Sequence, residues 1–128
     1  MEDTVQHKCK ILVVDDDNDI LTLLSRTLGN HDFIVETASN SEEAIKEMSR
    51  FKPDLVILDI IMPGIDGHKL CEQIRSYSTF DTTPIIFHSG LDSDFEIIKG
   101  FALGCDAYMV KSADITPLVE KVKEMIQA

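Results

Sequence analysis

Long apolar runs are absent from this chain of 128 residues. None approaches the roughly 20 residues that a membrane-spanning helix needs, so no membrane role is expected. The opening Met1-Glu-Asp-Thr-Val-Gln-His-Lys8 is acidic at its start and has no apolar core of the secretory kind. Cysteine is scarce. Cys9, Cys71 and Cys105 are odd in number, far apart and without metal-ligand spacing. Reduced thiols in a cytoplasmic protein are the expectation. Basic residues are few, 12 Lys and Arg against 23 Asp and Glu, for a net charge of −11. A nucleic-acid backbone selects Lys and Arg, so this balance argues against direct nucleic-acid binding and suits a cation instead. Linkers, low-complexity tracts and internal repeats are also missing. The length fits one domain with its own core: a tail over residues 1–8, then a domain over 9–128, with no second domain.

What is present is a set of short apolar runs that each end in a polar residue. Leu55-Val-Ile-Leu58 is too short for an ordinary helix and is bracketed by Pro53 and by Pro63, Gly64 and Gly67. Such a run is a strand buried on both faces of a parallel sheet, and it ends at Asp59. Ile11-Leu-Val-Val14 ends in Asp15, Asp16 and Asp17. Phe33–Ala38, Pro84–His88 and Ala107–Val110 complete five strands; the fourth run leads to Ser89 and the fifth to Lys111.

Helical spacing fills the gaps. Ile20, Leu21, Leu24 and Leu28 make a first stripe, stopped by Gly29 and Asn30. Ser39 with Glu42 is a capping-box signal for a second helix, lined by Ala44, Ile45 and Met48. Leu70 and Ile74 mark a third. Ser93 with Glu96 caps a fourth, whose inner face is expected to be Ile97, Ile98 and Phe101. Gly100 within it weakens the helix by up to about 1 kcal/mol against Ala and suggests a packing accident. Thr116-Pro117 opens a fifth helix, with Leu118, Val119, Val122 and Ile126 inward. Five strand–helix repeats predict an α/β fold: a doubly wound, flavodoxin-like (βα)5 parallel sheet in strand order 2-1-3-4-5.

In such sheets chemistry sits beyond the carboxyl ends of the strands. Asp15, Asp16, Asp17, Asp59, Ser89 and Lys111 all fall there. Carboxylates gathered at one end of a dry sheet repel one another, and a divalent cation offsets this. Mg²⁺ suits an all-oxygen site that keeps several waters and a place for a phosphoryl oxygen. Asp59 is then placed as nucleophile, with Lys111 and Ser89 for the remaining phosphoryl oxygens. His88 is expected to pack rather than ligate. Gly64 and Gly67 look like turn formers without chemistry.

The chain resembles a response-regulator receiver domain of the single-domain chemotaxis-regulator type. The resemblance is carried by Ile11-Leu-Val-Val-Asp-Asp-Asp17, Leu58-Asp-Ile-Ile-Met-Pro-Gly-Ile-Asp-Gly67, Ile86-Phe-His-Ser-Gly90 and Gly104-Cys-Asp-Ala-Tyr-Met-Val-Lys111. It implies a phosphoacceptor of two-component signalling rather than a conventional enzyme, one that catalyses its own phosphotransfer and autodephosphorylation. Asp59 would take a phosphoryl group from a phosphohistidine on a sensor histidine kinase or a histidine phosphotransfer protein. Asp16, Asp59 and the Ile61 backbone carbonyl would hold Mg²⁺, with Asp15 acting through metal-bound water and Asp17 supporting. Ser89 and Tyr108 would be the switch pair, Tyr108 turning inward once Ser89 is drawn to the phosphoryl group. The surface of the fourth helix, fifth strand and fifth helix would meet an output domain, a partner protein or a second copy. One departure is Ser112, where the family usually has Pro after the Lys. The Lys111–Ser112 bond is therefore expected to be trans.

Two other functions compete. A haloacid-dehalogenase-like phosphatase would use Asp15 as nucleophile and Asp17 as acid/base, but a cap domain and an acidic pair after Lys111 are missing. A pseudo-receiver, purely an interaction module, is disfavoured by the complete set of Asp16, Asp59, Ser89 and Lys111. A flavin site lacks a Ser/Thr-rich phosphate loop after the first strand.

Overall fold

Each strand's apolar run divides between the two faces of one sheet. A computed structural model describes residues 8–64 and 66–127; of the expected tail over 1–8, all but Lys8 lies outside the described residues. The elements are β1 (Lys10–Val14), α1 (Asn18–Asn30), β2 (Ile34–Ala38), α2 (Ser41–Phe51), β3 (Leu55–Leu58), α3 (Gly67–Ser76), a 3₁₀ turn (Ser78–Phe80), β4 (Ile85–Ser89), α4 (Asp94–Ala102), β5 (Ala107–Val110) and α5 (Thr116–Gln127). All strand pairs are parallel, in the order β2-β1-β3-β4-β5. The expected architecture is the observed one.

Alternation with period two explains the two core layers. Leu12, Val14, Val56, Leu58, Ile85 and Phe87 join Ala44, Met48, Leu70 and Ile74 on one face. Ile11, Val13, Leu55, Ile57 and Ile86 join Leu21, Leu24, Leu28, Leu118, Val119 and Val122 on the other. Every peptide bond among the described residues is trans, Lys111–Ser112 included.

Three local expectations are corrected. First, α2 is capped one residue later than expected. The Asn40 side chain accepts from the Glu43 N–H at 2.8 Å, and the Glu43 carboxylate accepts from the Ser39 N–H at 2.8 Å. Second, Ile98 and Phe101 do not form the inner face of α4; both are exposed, Ile98 at 68%, as is Phe95 at 71%. The buried residue of α4 is Gly100. A Cβ there would lie 3.0 Å from the Tyr108 ring and 3.1 Å from Phe87. Gly100 therefore lets α4 approach the sheet closely and is not a packing accident. Third, Gly67 is more than a turn former, because a Cβ on it would lie 2.1 Å from the Asp59 carbonyl oxygen.

The end of the sheet away from the strand-end acids is tied by Arg75 of α3. Its Nε donates to the Gly104 carbonyl at 3.0 Å and its Nη1 to the Phe80 and Thr83 carbonyls at 3.1 and 2.6 Å. Nη2 donates to Asp106 Oδ2 at 2.9 Å, which also accepts from the Ile85 N–H. One guanidinium thus fixes the entries to both β4 and β5. Arg75→Ala is expected to destabilise the fold by on the order of 2 kcal/mol, because three carbonyls and a carboxylate lose a charged donor together. Urea denaturation measures this; a midpoint unchanged from wild type would contradict it.

Candidate functional site

The polar residues that end β1, β3, β4 and β5 meet at one edge of the sheet. Backbone bonds continue the ladder past the strands and fix their heights: the Asp15 N–H donates to Ala38, the Asp59 N–H to Val14 and the Lys111 N–H to Ser89, at 3.1, 2.9 and 2.7 Å. Asp15 is buried; its Oδ1 accepts from the Asp17 N–H at 2.9 Å and its Oδ2 lies 2.9 Å from Lys111 Nζ. Asp59, 5% exposed, lies 3.4 Å from the same ammonium. Asp16 is exposed, yet Asp15, Asp16 and Asp59 can each place an oxygen within 4.8 Å of the other two.

The electrostatics are unbalanced. Lys111 brings one positive charge to three carboxylates. Burial pushes the Asp59 carboxyl up to about 6 and Asp15 pushes the same way, while Lys111 and the Ile61 backbone N–H pull it down. The Lys111 pKa is raised: its bonds and attraction to Asp15 and Asp59 outweigh burial, the largest single influence, which acts in the opposite direction. A site with only oxygen donors, surplus negative charge and one exposed ligand that leaves room for water fits Mg²⁺.

The remaining expected residues fall into place around it. Asp17 caps α1, its Oδ1 accepting from the Asp19 N–H at 2.9 Å. That occupation counts against a role as acid/base, and the two partners of Asp15 count against a free nucleophile there. Ile61 follows Asp59 by two residues with its side chain exposed. Ser89 is fully buried; its Oγ accepts from the Leu91 N–H at 3.1 Å. Tyr108 corrects the expected resting position. Its ring already packs inward, 6.1 Å from Phe87, and its hydroxyl donates to the Leu91 carbonyl at 2.6 Å. Leu91, absent from the sequence expectations, thus joins the two switch residues through its backbone. His88 is buried, and burial first and Lys111 second push it down to about 4, so it is a packed neutral ring.

With this geometry in view, the similarities to known proteins are specific. The family model described as "Response regulator receiver domain" matches residues 11–123. The alkaline phosphatase synthesis transcriptional regulatory protein PhoP of Bacillus subtilis is 38% identical over 118 residues, covering 92% of this chain and 48% of that protein. The chain spans about half the length of the curated relatives it matches. The BeF3-activated receiver domain of Klebsiella pneumoniae RstA superposes with a TM-score of 0.85 at 34% identity, covering 93% of this chain and 99% of that one. The chemotaxis protein CheY4 of Vibrio cholerae superposes at 0.88 with 28% identity, covering 92% and 98%.

Proposed function

The chain belongs to the response regulator receiver domain family, and we propose from this that Asp59 is its phosphoacceptor, served by Mg²⁺ and a phosphohistidine donor. The observation that carries the assignment is the pairing of Asp59 with Lys111 at 3.4 Å inside a cluster of three converging carboxylates. The donor is a sensor histidine kinase or a histidine phosphotransfer protein in the cytoplasm.

A carboxylate oxygen of Asp59 attacks phosphorus. A new O–P bond forms as the P–N bond of the phosphohistidine breaks, and its electron pair stays on the imidazole nitrogen. Asp15, Asp16, Asp59 and the Ile61 carbonyl would hold Mg²⁺, which supplies charge neutralisation for the phosphoryl oxygens. Lys111 binds a phosphoryl oxygen and keeps Asp15 in place. Ser89 donates its hydroxyl hydrogen to another. Water later cleaves the aspartyl phosphate in the same pocket, which makes the domain its own phosphatase without making it a conventional enzyme.

The output follows from the links at Leu91. A phosphoryl group adds about two negative charges. Ser89 is drawn toward them because a hydrogen bond to an anion is the stronger one. Leu91 moves with Ser89, and Tyr108 is held through the Leu91 carbonyl. The motion reaches the face of α4, β5 and α5, where Phe95, Ile98, Phe101 and Val110 stand exposed. Exposed apolar side chains gathered on one face in this way mark an interaction site. We assign to it an output domain, a partner protein or a second copy of the chain.

Asp16→Asn is the sharp test. Phosphorylation by a small acyl-phosphate donor should fall roughly a hundredfold or more, as a metal's contribution of several kcal/mol to the transition state predicts. Removing Mg²⁺ with EDTA should do the same to the wild type. Labelling followed by intact mass, with circular dichroism to confirm the fold, reads both. Undiminished labelling in either case would sink the proposal.

A further inference from the structure

Two buried side-chain atoms among the described residues have no hydrogen-bond partner: His68 Nε2 and Glu96 Oε1. They face each other at 3.9 Å, beyond hydrogen-bonding distance. They come from different helices, near the start of α3 and near the start of α4. His68 is 7% exposed, and its ring meets Phe87 edge-on at 5.6 Å, so packing fixes its direction. The pair opens on a cavity of about 290 Å³, which Ile61, Asp66, Leu91 and Lys99 also line.

We propose that His68 and Glu96 are the two protein ligands of a divalent transition-metal site, of the zinc class, that joins α3 to α4. The donors decide the class. An imidazole nitrogen with a carboxylate oxygen is a pair that Zn²⁺ takes readily, whereas Mg²⁺ favours the all-oxygen cluster at Asp59. Zn²⁺ binds such atoms at roughly 2.0–2.2 Å, which sets two ligands of one tetrahedral ion roughly 3.3 Å apart. A small rotation of the Glu96 side chain closes the present gap. Water fills the open coordination positions from the cavity.

The surroundings agree. Burial first, and Lys99 second, push the His68 pKa below its usual value, which favours the neutral ring that a metal ligand must be. Asp66, Glu96 and Glu72 set three carboxylates about the ring against the one ammonium of Lys99. These carboxylates draw positive charge toward the ring, while burial and Lys99 oppose it more strongly. Lys99 is exposed, and its long stem can carry the ammonium out to solvent. A metal here would pin the first turn of α4, the helix that bears Phe95, Ile98 and Phe101.

Calorimetric titration of the full chain with Zn²⁺ in excess Mg²⁺, which occupies the oxygen site, tests this. One equivalent should bind. His68→Asn and Glu96→Gln should each lower the affinity at least tenfold, while Asp16→Asn should leave it unchanged. NMR of the wild-type histidine rings provides a second readout that needs no variant to fold: His68 ring signals should shift with the same midpoint. No binding in the wild type, wild-type affinity in both variants, or ring shifts confined to other histidines would overturn the site.

Discussion

Asp59→Asn is expected to abolish phosphoryl uptake and, in the same protein, to raise the unfolding temperature in Mg²⁺-free buffer. The first effect follows because an amide has no anionic oxygen to attack phosphorus. The second follows from the raised carboxyl, at about 6 in the fold against about 3.9 in an unfolded chain. Between those values the folded state holds a proton that the unfolded state releases. Stability therefore falls as pH rises through that window, and the whole penalty persists above it. Two pKa units correspond to about 3 kcal/mol. Part of that is recovered as the pocket relaxes, so a gain of about 1–3 kcal/mol is expected for the Asn variant at neutral pH. In a domain of this size that is several degrees in Tm. Thermal denaturation in EDTA at neutral pH and near pH 4 tests the sign. The advantage of Asp59→Asn should shrink at the lower pH, where the wild-type carboxyl is also neutral. Added Mg²⁺ should stabilise the wild type more than the variant. A variant less stable than wild type at neutral pH would show that Lys111 already offsets the burial of Asp59.

The strand ends were legible in the sequence because each is a switch from buried apolar residues to one polar residue. Ile11–Val14 before Asp15, Leu55–Leu58 before Asp59 and Ala107–Val110 before Lys111 need only local pattern to be placed. Once the strands are parallel, topology brings their ends together without further information. The face of α4 was not legible for the opposite reason. Phe95, Ile97, Ile98, Phe101 and Ala102 leave little polar contrast, so the helical period has no phase to report. The phase is set by Gly100, whose importance depends on Phe87 and Tyr108, neighbours from other strands. The α2 cap was ambiguous in a different way. Ser39–Glu42 and Asn40–Glu43 are equally good local signals one residue apart, and only the packing of Ala44 and Met48 chooses between them. His68 and Glu96 carry no local signal at all. Their meeting depends on how closely α3 and α4 approach across the end of β4.

Gly67→Ala should be the most damaging single-methyl change near the site. The added Cβ would lie 2.1 Å from the Asp59 carbonyl oxygen and 2.6 Å from the Ile60 Cα. Both are backbone atoms, so no rotamer change relieves the contact. The loop is held from the other side as well, because the Gly67 N–H donates to the Ile60 carbonyl at 2.7 Å and the Asp66 side chain caps α3 by accepting from the Lys69 N–H. Either α3 retreats or the segment after β3 shifts, and each outcome moves Asp59 and Ile61 relative to Lys111 and Asp15. Overpacking of this kind costs about 1–3 kcal/mol of stability. A displacement of about 1 Å at reacting groups costs about a hundredfold in rate. Mg²⁺-dependent labelling by a small acyl phosphate should therefore fall by about that factor under conditions where the variant remains folded. Gly64→Ala provides the contrast. A Cβ added there would meet nothing within 4 Å, but the φ of +79° strains any side chain. Its cost should appear in stability, while labelling of the folded fraction stays near wild type. Labelling of Gly67→Ala at the wild-type rate would mean that the close approach of α3 to β3 does not position the phosphoacceptor.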